Sequence, residues 1–338
     1  MNGLTPEQLA GYSCKRDIIN RNGLVLVPAN TPLAAGHFHL LINHGVDWNT
    51  YEFEPPRVQT NETLVTKASE TIRGMFQLIR DEKRIPLEEI NQSILPTIYQ
   101  ATDFPNLFSV LSGLQAKDDY TYRHNIGVGV ISTLIGKWLQ LNADDLSLLS
   151  TAATLHDVGK IHITDDILNK PGKYTEQEYE IMKKHTIFGY EIIMSSPNVS
   201  PRMALVALQH HEREDGSGYP YGIKGDQIDY YSKIVAVADI FHAMTSKRVY
   251  KDAMPFYLVV RQMQGGGFGE LDPAICSLFI RRMMELAIGN DVMLTDGRQG
   301  TIKAVNPFDL VNPLIEMDGG SYVDLSQNTD VNIVSLVG

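Results

Sequence analysis

Six of the ten histidines in this 338-residue chain fall between positions 124 and 211. Five of them, His124, His156, His185, His210 and His211, sit on or beside segments with helical spacing of apolar residues, and Asp157 and Asp239 accompany them. Taken singly, a histidine is more often a core or surface residue than a ligand. Seven such groups at helix ends and on apolar stripes of one segment constrain the chain to a helical domain that gathers them. Val128, Ile131, Ile135 and Trp138 continue the stripe of His124 over about 121–140, and Leu148, Leu149, Ala152 and Leu155 lead into His156. Gly159 is expected to break that helix. Thr175 and Glu178 have capping-box spacing and open a helix carrying Met182, His185, Phe188 and Ile192. Pro201 stands early in a helix running to His211, the apolar stretch 228–245 carries Asp239, and Pro273 opens a last helix ending near Gly289.

The flanks read differently. A short helix is expected after Thr5–Pro6. GLVLVP (23–28) reads as a strand, the following segment as a short helix ended by Gly45, and 46–55 as a returning strand, which makes residues 1–58 a small α+β module. From Asn61, with Asn61 or Thr60 as N-cap, Val65, Ala68, Ile72, Met75, Phe76 and Ile79 recur at helical steps. Intramolecular packing is the default for this face, and a homodimer the alternative. Residues 59–102 are expected as a helical linker, with a helix starting at Pro86 and kinked or ended at Pro96. Residues 103–288 read as nearly all helix. In 289–338, turns at Asp296–Gly297 and Asp318–Gly320 separate β-rich runs, the pattern of a small barrel or meander.

Composition narrows the function. A net charge of −11 argues against non-specific binding to nucleic acid or to an anionic membrane. An anionic small substrate remains compatible, because metals and local cations reverse the field inside a cleft. Cys14 and Cys276 have no metal or disulfide spacing, no 18-residue apolar run exists, and the first residues lack a secretory pattern, so the expected setting is the cytoplasm without a membrane span.

Imidazoles with carboxylates and no thiolates suit Fe, Mn or Zn. The adjacent pairs His156–Asp157 and His210–His211 offer one residue to each of two metals, and a carboxylate bridges two ions with its two oxygens. Two ions about 3.5–4 Å apart stabilise both the attacking and the leaving oxygen in phosphoryl transfer. Lys160, Arg248 and Lys251 are candidate phosphate cations, the last two reading equally well as a solvated helix end.

The motifs YTYRH (120–124), HDVGK (156–160), KKH (183–185), HHEREDGSGYP (210–220), ADIF (238–241) and RVYK (248–251) together resemble the HD-GYP family, the branch of bacterial HD-domain phosphohydrolases that cleaves cyclic di-GMP. The likeness covers roughly residues 100–288. It implies a mainly α protein whose all-helical HD-type catalytic domain (103–288) is flanked by the α+β module and the β-rich module. It implies His124, His156, Asp157, His185, His210, His211 and Asp239 as ligands of two divalent transition metals, Fe or Mn, with Asp157 bridging. It further implies Asp157 and Lys160 as catalytic residues, Lys160 near the scissile phosphate, and Arg248 and Lys251 on the other phosphate or orienting the nucleotide. The Gly216–Pro220 loop, with Gly218, Tyr219 and Pro220, would shape one wall and offer a surface to signalling partners. A plain tight turn is the alternative reading of that loop. Tyr120 stands where some members have an acidic ligand for a third metal, so two are expected. His242 stands where many have Asp, which touches the hydrogen bonding behind the ligands. The implied reaction is hydrolysis of cyclic di-GMP to linear pGpG and on to GMP. Another cyclic dinucleotide such as cyclic GMP-AMP, another phosphohydrolase substrate, and a non-catalytic sensor are the alternatives.

Overall fold

The computed structural model describes residues 9, 12–29, 31, 33, 35–54, 61–103, 107–114, 120–246, 253–264, 270–328 and 330–337. The chain divides into two compact units, Met1–Thr60 and Asn61–Gly338. The helix expected after Thr5–Pro6 and the N-cap expected at Thr60 lie outside the described residues.

In the first unit, β1 (Ser13–Cys14) pairs antiparallel with β4 (Phe53–Glu54), and β2 (Ile18–Ile19) with β3 (Val25–Val27). Helix α1 (Ala35–Asn43) packs Phe38 and Leu41 with Cys14, Ile18 and Val27 into a small core.

The second unit is mainly helical, as expected, and its core is continuous from Val65 to Ile333. Counting helices of two turns or more, it holds α2 (Asn61–Glu82), α3 (Leu95–Thr102), α4 (Leu107–Leu114), α5 (Tyr120–Trp138), α6 (Ala143–Leu155), α7 (Glu176–Lys183), α8 (His185–Met194), α9 (Pro201–Gln209), α10 (Tyr230–Thr245), α11 (Phe256–Gln264) and α12 (Pro273–Ala287). All six apolar residues of the α2 stripe are buried in this core. Of residues 59–102, expected as a linker, the described residues 61–102 therefore contribute core helices. Ahead of Pro96 the chain runs through a π turn, Ile90–Ile94, before α3. A wider turn there accommodates the residue that lacks an amide hydrogen. The capping box forms as the spacing predicts, with Thr175 accepting from the Glu178 amide and Glu178 accepting from the Thr175 amide.

The C-terminal strands β5 (Asp291–Leu294), β6 (Gln299–Asn306), β7 (Asp309–Met317), β8 (Tyr322–Asp324) and β9 (Ile333–Val337) form one antiparallel sheet in the order β8-β7-β6-β5-β9. The first four make a meander and β9 closes onto the free edge of β5. Val292, Leu294, Ile302 and Ile315 join the same core as α12, so this sheet is packed into the helical unit.

One close contact positions the segment that carries His156 and Asp157 against the helix that carries His185. After α6, the chain turns through a 3-10 segment, Val158–His162, that lies against α8. A Cβ on Gly159 would stand 2.0 Å from the His185 carbonyl oxygen and 2.4 Å from the Gly189 amide nitrogen. Gly159 thus allows two backbones to touch, and it does more than end a helix. Gly159→Ala is expected to destabilise the protein by about 3 kcal/mol through overpacking. In a thermal melt this reads as a loss of roughly 5 °C or more. Gly74, on the exposed face of α2, is the control, since a methyl added there would meet nothing within 4 Å. Gly74→Ala should raise stability by about 0.5–1 kcal/mol.

Candidate metal centre

Helix ends deliver most of the candidate ligands. His124 lies in the first turns of α5, His156 caps the C-terminus of α6 with Asp157 immediately after it, His185 opens α8, and His210 caps the C-terminus of α9 with His211 following. Asp239 comes from the middle of α10. All but His211 are buried, and His211 is partly so.

Asp157 is the centre of the arrangement. Its Oδ1 lies 3.3 Å from His185 Nε2 and 3.9 Å from His210 Nε2. Its Oδ2 lies 3.4 Å from His156 Nε2 and 3.7 Å from His124 Nε2, and it accepts from Lys160 Nζ. The donor atoms form two groups, Asp157 with His185, His210 and His211, and Asp157 with His124 and His156, each within 4.8 Å. Asp239 also faces both groups, with Oδ1 3.0 Å from His124 Nε2 and Oδ2 3.8 Å from His211 Nδ1.

Local backbone fixes three of the rings. The Nδ1 of His156 lies 2.7 Å from the Ala153 carbonyl, that of His185 2.7 Å from the Met182 carbonyl, and that of His210 3.0 Å from the Ala207 carbonyl. A carbonyl only accepts, so each Nδ1 carries the proton and, in the neutral ring, each Nε2 presents a lone pair. Two such lone pairs, on His185 and His210, stand 3.4 Å apart beside Asp157. His156 Nε2 and Asp157 Oδ1 are buried and make no hydrogen bond among the described residues. Converging lone pairs on buried atoms without a proton between them fit a cation, so the residues present suit a metal.

The electrostatics agree with that fit. Burial lowers the pKa of His124 despite its hydrogen bond with Asp239, and burial lowers His185 to about 4. Burial together with neighbouring imidazoles holds His210 and His211 well below the ordinary histidine value. Burial works against ionisation of Asp157, but Lys160 and His156 overcome it and hold the carboxyl well below the usual range; His124 does the same for Asp239. His156 is the exception: burial lowers it, yet adjacent Asp157 raises it on balance. Neutral imidazoles with ionised carboxylates are the forms that bind metal.

Behind His124 stands His242, fully buried, with the two Nδ1 atoms 3.1 Å apart. Gly127, one turn along α5, leaves the space that this ring fills, since a Cβ there would meet His242 Nε2 at 2.1 Å. The residue that departs from the family pattern is therefore the neighbour of a candidate ligand.

The GYP loop is tied down by Glu212, a residue to which the sequence assigns no role beyond its place in the HHE run. Glu212 is buried, and its carboxylate accepts from the amides of Tyr221 (2.8 Å) and Ile223 (3.2 Å). Gly218 is required by close approach, with a Cβ position 2.5 Å from the His211 carbonyl oxygen and the Arg213 amide nitrogen. Tyr219, joined to Pro220 by a cis peptide bond, tilts over His211 with ring centroids 4.6 Å apart.

Lys160, Tyr219, Asp157, Asp239, His124, His185 and His211 open onto a cavity of about 550 Å³. Its far walls come from Phe76, Gln77 and Arg80 of α2 and from the 165–174 segment, none of which stands out in the sequence as part of a site. Arg248, Lys251, Asp118, Asp119 and the side chain of Tyr120 lie outside the described residues. Among the described residues no helix is long and apolar enough to cross a membrane.

Known proteins share these features. The family model for the HD domain matches residues 111–275. A cyclic di-GMP phosphodiesterase of Pseudomonas aeruginosa, PA4108, is 30% identical over 75% of this chain and 61% of its own length. A cyclic di-GMP phosphodiesterase of Thermotoga maritima is 40% identical over 67% of this chain and 63% of its own length. The chain thus spans a little over 60% of the length of these curated relatives. Among solved structures, Bd1817, an HDG"Y"P protein from Bdellovibrio bacteriovorus, superposes with a TM-score of 0.51 at 13% identity, over 80% of this chain and 93% of the other, a likeness of fold. With the HD pair buried between two donor groups and the GYP loop laid over His211, the chain carries an HD domain over residues 111–275 and resembles cyclic di-GMP phosphodiesterases around it.

Proposed function

We infer that this chain is a divalent-metal-dependent phosphodiesterase that opens a cyclic dinucleotide, cyclic di-GMP, to its linear form. The observation that carries the reading is the placement of Asp157, whose two oxygens face different sets of imidazoles. A carboxylate so placed is suited to two cations held close together. His124 and His156 would hold one with Asp157 Oδ2, and His185, His210 and His211 the other with Oδ1, while Asp239 reaches toward both. Iron and manganese both suit this donor set. When bound, the ions supply a nucleophile at neutral pH and a counter-charge for the phosphoryl oxygens.

The chain's own groups complete the site. Lys160, partly exposed to the cavity and paired with Asp157, can turn to a phosphoryl oxygen once cations neutralise that carboxylate. Tyr219 shields His211 from solvent on the loop side. The names of the curated relatives support the substrate class. Further cleavage to GMP belongs to the same reading.

Protein loaded with Mn or anaerobically with Fe should convert cyclic di-GMP to pGpG, followed by chromatography. Asp157→Ala should lower turnover by about 10³-fold or more and reduce bound metal to less than half of the wild-type content. Wild-type turnover or metal content in that variant would sink the two-cation reading.

His124 presents a lone pair at Nε2 when its Nδ1 carries the proton, and His242 Nδ1, 3.1 Å away, can accept it. His242→Phe removes that acceptor and should weaken metal binding at the His124 side by about 10- to 100-fold. Calorimetric titration of the metal-free protein should then resolve one strong and one weakened site, where the wild type shows two strong ones.

A further inference from the structure

The cavity extends well beyond the candidate ligands, and one wall is built by α2, which precedes the matched residues 111–275. Three side chains of α2 line it, Phe76, Gln77 and Arg80. Phe76 is buried and meets Tyr122 edge to face, with ring centroids 5.8 Å apart, and Ile79 is buried beside it. This turn of the helix is therefore anchored, and Arg80, one turn beyond Phe76, is carried at a fixed place on the rim.

The charges lining the cavity are unequal in availability. Lys160 is paired with Asp157, and Lys170 is paired with Glu178 at 2.5 Å. Arg80 has neither an ion pair nor a hydrogen bond among the described residues, and it lines a cavity that Asp157, Asp165 and Asp239 also border. A cyclic dinucleotide carries two phosphodiester anions, and only one can occupy the reacting position at a time. The other must enter the same cavity away from the cations that Asp157 and Asp239 would hold, and there it needs a counter-charge of its own.

We propose that Arg80 binds the second, non-reacting phosphate of a cyclic dinucleotide, adding to the contacts that the family resemblance implies for Arg248 and Lys251, so that α2 helps the site select a two-phosphate ring over a single phosphodiester. The proposal rests on the phosphodiester reading above and adds a contact from outside the matched HD region. A guanidinium suits the task because its fork matches two phosphate oxygens, and the contact persists in weaker form with a lysine ammonium.

The test compares wild-type protein with Arg80→Ala and Arg80→Lys, all as the full metal-loaded chain, on cyclic di-GMP and on bis(p-nitrophenyl) phosphate, which has one phosphate. Arg80→Ala should raise KM for cyclic di-GMP by about tenfold more than KM for the single diester, with kcat changed far less than KM. Arg80→Lys should recover most of the lost KM, as expected for a charge contact with phosphate. Equal effects on both substrates, or a lysine variant no better than alanine, would overturn the assignment. Wild-type protein that turns over cyclic di-GMP beside an alanine variant with unchanged KM overturns the Arg80 contact alone. Wild-type protein that cleaves the single diester and no cyclic dinucleotide overturns the substrate reading, and this proposal with it.

Discussion

A buried carboxylate among buried imidazoles is the constraint on which the rest of this unit depends. Asp157 is almost wholly withdrawn from water, with four imidazole nitrogens within 3.9 Å and the Lys160 ammonium beside it. An isolated carboxylate in such a place would be costly enough to neutralise itself. Here the surrounding groups keep it ionised, and the helices that bring those groups are the core helices of the unit. The core that supports α5, α6, α8, α9 and α10 is therefore also what sets the distances around Asp157.

The orientation of the rings follows from where they sit in those helices. His156, His185 and His210 each reach back three residues to a carbonyl that a helix end or helix junction leaves available. Backbone carbonyls thereby fix the tautomer of a candidate ligand. His124 lies inside a helix, and its Nδ1 meets another ring, His242. This difference explains why α5 needs a glycine opposite His242 and why a side chain on α10 is tied to a donor on α5.

Much of this is legible in the sequence, and the parts that are not share a cause. Helical periodicity and the capping box at Thr175 are local signals, and they place α5, α6 and the start of α7 nearly as observed, whereas the single helix expected to run on through Ile192 is divided at Lys184 into α7 and α8. The gathering of His124, His156, Asp157, His185, His210, His211 and Asp239 follows from their density and from motif resemblance. Non-local contacts leave no such trace. Gly159 reads as a helix breaker because its partner, the backbone at His185 and Gly189, is remote in sequence. Glu212 stands inside a motif without a task because the amides it serves lie nine and eleven residues on. The α2 stripe is readable as a buried face, but nothing along the chain says that its partners are α5 and the turn after α6. The C-terminal strands read as a separate module, although their inward residues complete the helical core.

Arg80 shows the limit most clearly. On an amphipathic helix a cation opposite the apolar stripe has the same sequence signature whether it faces bulk water or a cleft. Only the packing of α2 beside the 158–162 turn brings that polar face toward the donor groups. The candidate donors of the HD centre sit in compact motifs along the chain, whereas the wall that Arg80 belongs to is contributed by a neighbouring helix. With Arg80 in the role proposed for it, substrate selection would be physically separable from the candidate metal donors and would lie on the element that packs across the cavity from them.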